Sequence, residues 1–192
     1  MQTPQFIIYI GPMYGSKTTR LLADIDKFSY KSKKIFAFKP KRDNRYSENE
    51  IVSHMGAKFP AFQIEDANEI YNFISNENKR IDIIAVDEAF MINNIDIVLI
   101  DLFKKGYTII VSSIQLSGEN KPFENIKNIL PWGTKIEICT AVCTKCDDDA
   151  FYTKALFDMN TADDSIKIGT KESYSPMCHK HCINQNQSDD LI

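Results

Sequence analysis

Short apolar runs alternate with stretches of helical spacing along the first two thirds of the chain, and these two periods set the expected fold. Phe6-Ile-Ile-Tyr-Ile10 is apolar throughout and is ended by Gly11-Pro12, the pattern of a buried parallel strand. Leu21, Leu22, Ile25 and Phe28 then recur on one face of a helix. Ile35-Phe-Ala-Phe38 predicts a second strand, stopped by Lys39-Pro40. Asp66-Ala-Asn-Glu69 predicts a helix start with a carboxylate version of the capping box, followed by Ile70, Phe73 and Ile74 on one face. Ile81–Val86 predicts a third strand, Ile95, Leu99, Leu102 and Phe103 another helix, and Tyr107–Val111 a fourth strand. Strands separated by helical stretches need crossover connections, so the expected class is α/β, a mainly parallel sheet with helices on both faces. Beyond Pro131-Trp-Gly133 the texture changes: Lys135–Cys139 predicts one more strand, leading into a cysteine cluster. The expected organisation is an α/β part over residues 1–138, a small cysteine-bearing part over 139–183 and a polar, flexible tail over 184–192.

Composition narrows the class. The chain has 192 residues, 43% of them hydrophobic and 26% charged, which excludes disordered and collagen-like sequences. With 23 basic and 26 acidic residues the formal charge is −3, so no general basic surface points to nucleic acid. No apolar run approaches the roughly 20 residues of a membrane helix, and the N-terminus lacks a signal-peptide pattern. A cytoplasmic location is expected, where thiols stay reduced and clustered cysteines bind metal.

Candidate chemistry sits in three places. Gly11-Pro-Met-Tyr-Gly15-Ser16-Lys17-Thr18 lies between the first strand and the first helix, where backbone N–H groups and a helix N-terminus converge on phosphate. Lys17 would reach the phosphates and the Thr18 hydroxyl would ligate Mg²⁺; Ser16 stands where the standard loop has glycine, with a glycine displaced to position 15. The third strand ends in Asp87-Glu88, an aspartate for the metal's shell and a glutamate for a base, the second half of a phosphoryl-transfer site. Cys143-x2-Cys146 and Cys178-x2-His181 fit tetrahedral zinc, with a hairpin and functional loop expected between them. His181 is favoured as fourth ligand because x2 closes the tighter knuckle, Cys182 competes through C-x3-C, and His179 is the weaker candidate. Cys139, on an apolar pattern, reads as a buried small hydrophobe.

In this order the motifs resemble the type II thymidine kinases, the zinc-containing family of small deoxynucleoside kinases. Gly11-Pro-Met-Tyr is similar to the family's GPMF opening, followed by Lys17-Thr18. Asp43-Asn-Arg45 is similar to its D-x-R, Ser53-His54 to its S/T-H and Val86-Asp-Glu-Ala89 to its V-D-E-A. Lys121-Pro-Phe123, Ala141-Val-Cys143, Tyr152-Thr-Lys154 and Tyr174-x3-Cys178 extend the likeness from about Phe6 to Cys182. The resemblance implies a P-loop NTPase-type α/β domain carrying a small zinc-ribbon lasso domain. It implies ATP and Mg²⁺ held by Gly11, Met13, Gly15, Ser16, Lys17, Thr18, Asp43, Arg45 and Asp87, with Glu88 as the general base on the nucleoside 5′-hydroxyl. It further implies a nucleoside pocket from Met13, Ile114, Phe123, Thr153, Lys167, Gly169 and Tyr174, a structural zinc on Cys143, Cys146, Cys178 and His181, and a homotetramer.

The chain also departs from that pattern. Ser16 replaces glycine, Phe90 stands where glutamine is usual, and Met55 where aspartate is common. Ser113-Ile-Gln-Leu-Ser-Gly118 replaces a pattern close to G-L-D-x-x-F, and His179 replaces an arginine. The leading expectation is ATP-dependent phosphorylation of thymidine or a related deoxynucleoside in salvage. The alternative is a kinase-derived nucleotide- or nucleoside-binding regulatory protein with impaired turnover, and a zinc-ribbon nucleic-acid binder is a third reading that the acidic balance opposes.

Overall fold

The computed structural model describes residues 3–43, 47–156 and 173–183. In chain order the elements of its first part are β1 (Phe6–Ile10), α1 (Lys17–Ser29), β2 (Ile35–Pro40), β3 (Glu50–Val52), β4 (Lys58–Pro60), β5 (Phe62–Ile64), α2 (Glu69–Ser75), β6 (Ile83–Val86), a 3-10 turn (Ala89–Met91), α3 (Ile95–Lys104), β7 (Thr108–Ser113), α4 (Glu124–Ile129) and β8 (Lys135–Ile138). A second part follows, made of β9 (Ala141–Val142), β10 (Asp149–Ala150), β11 (Tyr152–Ala155), β12 (Tyr174–Met177) and α5 (His179–Cys182).

Six strands form one sheet in the order β5-β2-β6-β7-β1-β8, and every pairing in it is parallel. The period-two alternation of each central strand sorts its side chains between two cores. Phe6, Ile8 and Ile10 of β1 join Ile84 and Val86 of β6 and Ile109 and Val111 of β7 on one face, covered by Ile70 of α2, by Val98, Leu99 and Leu102 of α3 and by Ile126 and Ile129 of α4. Ile7, Tyr9, Ile83, Ala85 and Ile110 point to the other face, against Leu21, Leu22, Ile25 and Phe28 of α1. That face is completed by the β3–β4 ribbon through Ile51 and Phe59, and by Cys139, which packs as the small hydrophobe expected. Among the described residues no helix is long and apolar enough to cross a membrane.

The strands and helices expected from the sequence are present, with shifted ends. The second strand is not stopped at Lys39-Pro40 but includes both residues. Pairing of β2 with β6 ends at Phe38, and beyond it only β5 continues alongside, so the missing N–H of Pro40 breaks no central ladder bond. The capping expectation at α2 holds in its chemistry: Glu69 Oε1 accepts from the backbone N–H of Glu65 at 2.9 Å and of Asp66 at 3.0 Å, while Asp66 Oδ1 accepts from Asn68 N–H at 2.8 Å. The ribbon β3–β4, the short edge strand β5 and α4 carry too few residues to show a period, so the pattern of apolar positions does not predict them.

The carboxyl ends of β1 and β8 meet where Gly11 faces Cys139. The N–H of Cys139 donates to the carbonyl of Ile10 at 2.7 Å. Gly11 adopts φ +154, and a Cβ there would stand 2.1 Å from the Cys139 carbonyl oxygen. Only glycine fits, for conformation and for space alike. Gly11→Ala is therefore expected to destabilise the fold by about 2–4 kcal/mol, read as a lowered urea midpoint with an unchanged m-value; a midpoint equal to wild type would refute the packing described.

Candidate functional site

Three loops converge at the carboxyl end of the sheet, the place where open α/β folds bind ligands. The first, between β1 and α1, is a tight turn in which the Gly15 N–H donates to the Pro12 carbonyl at 3.2 Å. Ser16 sits at the N-cap of α1 in the left-handed region, φ 59. The position where glycine is expected thus keeps a conformation that suits glycine, and serine bears a strain of about 1 kcal/mol there. Lys17 is buried, and its Nζ donates to the Pro12 carbonyl at 2.6 Å, folding the cation back over the loop.

The second loop follows β6. Asp87 is buried and accepts from the Thr18 hydroxyl, at 3.1 Å to Oδ1 and 3.2 Å to Oδ2, and from Ser112 Oγ. Burial raises its carboxyl from the ordinary 3.8 to about 7; the neighbouring charge of Glu88 adds to the rise, Ser112 and Thr18 oppose it, and Asp43 contributes a smaller repulsion. Glu88 itself is held in the left-handed region, φ 49, at the head of the 3-10 turn. The Phe90 N–H, next along that turn, donates to Ser113 Oγ at 3.2 Å, and the Phe90 ring packs on Phe123 with centroids 4.8 Å apart. Phe123 is thereby part of the wall behind the acidic turn, against the larger core. Ser112 was not singled out from sequence; the signal was the polar Ser112-Ser113 pair closing an apolar strand beside the one that ends in Asp87.

The third loop follows β2. Asp43 is buried, and its N–H donates to the Pro40 carbonyl at 3.0 Å. Lys39, also buried and also missed, donates from Nζ to the carbonyls of Ser47 at 2.6 Å and Glu50 at 3.5 Å, which fixes the return of this loop into β3. Arg45, Lys167 and Gly169 and the polar tail from 184 lie outside the described residues. Thr18 Oγ1 and the Asp87 carboxylate thus set oxygen atoms side by side, and the nearby charges of Glu88 and Asp43 add to the burial that disfavours Asp87 as an anion. Hard cations such as Mg²⁺ take such an oxygen-only set, and a divalent charge would relieve it.

In the second part, β9 pairs with β10 and β11 with β12, both antiparallel. Ligand atoms of Cys143, Cys146, Cys178 and His181 all lie within 4.8 Å of one another. Cys146 and Cys178 sulfurs are 3.6 Å apart, and His181 Nδ1 lies 3.5 Å from Cys143 Sγ and 3.3 Å from Cys178 Sγ. Zinc–sulfur bonds of about 2.3 Å give a tetrahedral edge of about 3.8 Å, so this Cys₃His set fits zinc. Cys182 turns away, its thiol 3.5 Å from Asn120 Oδ1, and His179 packs near Tyr152. The expected hairpin is there as β11 and β12; its connecting residues 157–172 fall outside the described set.

The two parts touch through the phosphate loop. The Met13 N–H donates to Thr153 Oγ1 at 3.0 Å, with Thr153 buried on β11. Tyr14 packs beside His54, ring centroids 5.5 Å apart. Tyr174 is buried on β12, and its ring edge lies beside Gly118 in the segment after β7. Met13 and Thr153 thus meet where the phosphate loop touches the hairpin, Tyr174 lies on the hairpin beside Gly118, and Ile114 stands just beyond Ser112 and Ser113.

A sequence model described as thymidine kinase matches residues 4–182. A thymidine kinase of Ureaplasma urealyticum serovar 10 is 32% identical over 177 residues, covering 89% of this chain and 79% of the relative. A thymidine kinase of Ureaplasma parvum serovar 3 is 33% identical over the same span and shares. The matched range spans the phosphate loop, the acidic turn and the four zinc-site residues, and the chain belongs to the thymidine kinase family.

Proposed function

We infer that the chain transfers the γ-phosphoryl group of ATP to the 5′-hydroxyl of thymidine or a close pyrimidine deoxynucleoside, a salvage reaction of the cytoplasm. The observation that carries this reading is the juxtaposition of Lys17, Thr18, Asp87 and Glu88 on the ends of two adjacent functional loops. The phosphate loop backbone, from Gly11 through Met13, Gly15 and Ser16, would cradle the triphosphate, with Lys17 on its charge. Thr18, Asp87 and Asp43 would hold Mg²⁺, with Arg45 beside them; the ion, when bound, neutralises charge on the transferring group. Glu88 would take the 5′-hydroxyl proton as the new O–P bond forms and the bond to the ADP oxygen breaks. Its strained turn aims it from the same backbone that carries Asp87, so base and metal ligand move as a unit.

The nucleoside would lie between Met13, Ile114, Thr153 and Tyr174, with Phe123 behind and Lys167 and Gly169 contributed by the 157–172 segment. Zinc at Cys143, Cys146, Cys178 and His181 would anchor that segment at both ends. A lid so anchored excludes water from the reacting phosphoryl group. We draw the unit boundary at 138/139, between β8 and β9. The reduced thiols, five free cysteines, are in keeping with the cytoplasm. Edge strand β8 presents Ile136 and Ile138 to solvent, apolar surface of the kind a subunit contact covers, and we infer a homotetramer.

Three outcomes check this reading. Purified protein with Mg²⁺ and labelled ATP should yield thymidine monophosphate, and Glu88→Gln should lower kcat by about 10²–10⁴ while thymidine still binds; a mutant as active as wild type would remove Glu88 from the chemistry. Asp87 binds its proton more tightly in the folded chain than in the unfolded one, 7 against 3.8. Its contribution to stability is therefore greatest below pH 4 and is lost as pH rises toward about 7. Asp87→Asn should abolish turnover yet raise the melting temperature of the metal-free protein at pH 8, with a gain of order 2 kcal/mol; a drop in melting temperature would contradict the electrostatic account. Sedimentation equilibrium should give four times the chain mass, and a monomer at micromolar concentration would rule the tetramer out.

A further inference from the structure

A two-limbed arm leads from the end of β7 to the hairpin of β11 and β12. Its limbs are joined by an antiparallel bridge between Leu116 and Pro122. The Phe123 N–H donates to the Gln115 carbonyl at 3.2 Å and the Ser117 N–H to the Lys121 carbonyl at 2.8 Å; the Asn120 N–H closes the tip on the Ser117 carbonyl at 3.0 Å. At its base the arm continues from Ser112 and Ser113, which bond to Asp87 and to the Phe90 N–H. An arm cross-bonded in this way keeps its shape, so its tip is fixed relative to the acidic turn.

The arm meets the second part along its length. Gln115 Nε2 donates to the Phe151 carbonyl at 3.2 Å, and the Cys182 thiol donates to Asn120 Oδ1 at 3.5 Å. Between these contacts Gly118 lies against Ala155 and Tyr174. Ala155 of β11 and Tyr174 of β12 are register partners, so Gly118 touches both strands of the hairpin at one rung.

There is no room at this point for a side chain. A Cβ on Gly118 would stand 2.9 Å from Ala155 Cβ, 3.1 Å from the Ala155 backbone nitrogen and 3.3 Å from Tyr174 Cε1. Gly118 is not one of the glycines with positive φ, so space excludes a side chain here and conformation does not. The crowding has no easy release. Ala155 Cβ has no torsion to turn, and its nitrogen belongs to the strand. An added methyl group therefore shifts the whole rung by about 0.5–1 Å to restore ordinary carbon contacts. Two residues earlier on β11, Thr153 is tied to Met13, so the rung moves while the contact with the phosphate loop stays.

We propose that Gly118 is a positioning residue: by carrying no side chain it lets the Ala155–Tyr174 rung seat against the sheet part, and so sets the place of the Tyr174 ring in the nucleoside site. The proposal rests on the kinase reading above, which puts Tyr174 against the nucleoside and the triphosphate at the phosphate loop. The loss from a displaced rung then falls on the nucleoside and spares ATP.

The test compares wild type, Gly118→Ala, Ala155→Gly and the double variant as full chains loaded with zinc. Thymidine Kd is measured by calorimetry, alongside kcat and the KM values for thymidine and ATP. Gly118→Ala should raise thymidine Kd and KM about tenfold, with kcat and the KM for ATP within about twofold. In the Ala155→Gly background the opposing methyl group is gone, and the same substitution should cost at most about threefold. A role confined to stability would lower the melting temperature without separating thymidine from ATP. Unchanged thymidine binding in Gly118→Ala, an equal loss on ATP, or the full loss persisting beside Ala155→Gly would each overturn the proposal. Should Gly118→Ala not fold, Ala155→Val crowds the same gap from the hairpin side. It should weaken thymidine with the same selectivity, and wild-type thymidine affinity in it would overturn the proposal equally. Wild type that binds no pyrimidine nucleoside would instead sink the kinase reading.

Discussion

A buried carboxyl group whose hydrogen bonds come from neutral hydroxyls is the constraint around which the sheet end is arranged. Asp87 sits at the end of the most enclosed strand, buried, beside two further acids. Its two hydroxyl donors come from elements far apart in sequence, Thr18 at the start of α1 and Ser112 at the end of β7. Those bonds are neutral, and neutral donors offset only part of the price of desolvating an anion. A divalent cation of the kind proposed for this site would offset that cost. The left-handed backbone at Ser16 and Glu88 belongs to the same pattern, because the parts of the molecule that break local rules cluster where ligands are expected.

Around this centre the molecule divides labour between a rigid frame and a clasp. The parallel sheet, buried on both faces, fixes the ends of β1, β6 and β7 relative to one another. The hairpin of β11 and β12 has few hydrogen bonds of its own, and zinc on the Cys₃His set beside it would hold it in place. It meets the frame at the Met13–Thr153 bond and at Gly118, both next to residues that would touch substrate. The hairpin and the phosphate loop are consequently coupled through the Thr153 side chain and through the packing of Gly118 against Ala155 and Tyr174.

Much of this was readable from the chain alone, and the reasons are physical. Strands β1, β2, β6 and β7 are apolar on both faces, and α1 and α3 hold a helical period for two turns or more, so hydrophobicity marked them. Candidate residues at element ends, Lys17, Thr18, Asp87, Glu88 and the zinc pairs, stand out because their spacing is the one such ligands require. Contacts between segments distant in sequence were not readable: Ser112 on Asp87, Lys39 on the carbonyls of Ser47 and Glu50, and Cys139 against Gly11. Pro40 misled because a proline inside a strand is tolerated where its neighbour on that side has already ended.

The zinc ligands stand on both sides of the segment 157–172, two before it and two after it. Antiparallel pairing of β11 with β12 spans the same gap. A zinc ion bound there would make the chain topologically redundant at this point: a backbone cut anywhere between residues 156 and 173 would leave two fragments still held together by one ion and one ribbon. Zinc and ribbon together would thus make the integrity of the protein independent of the covalent connection through 157–172.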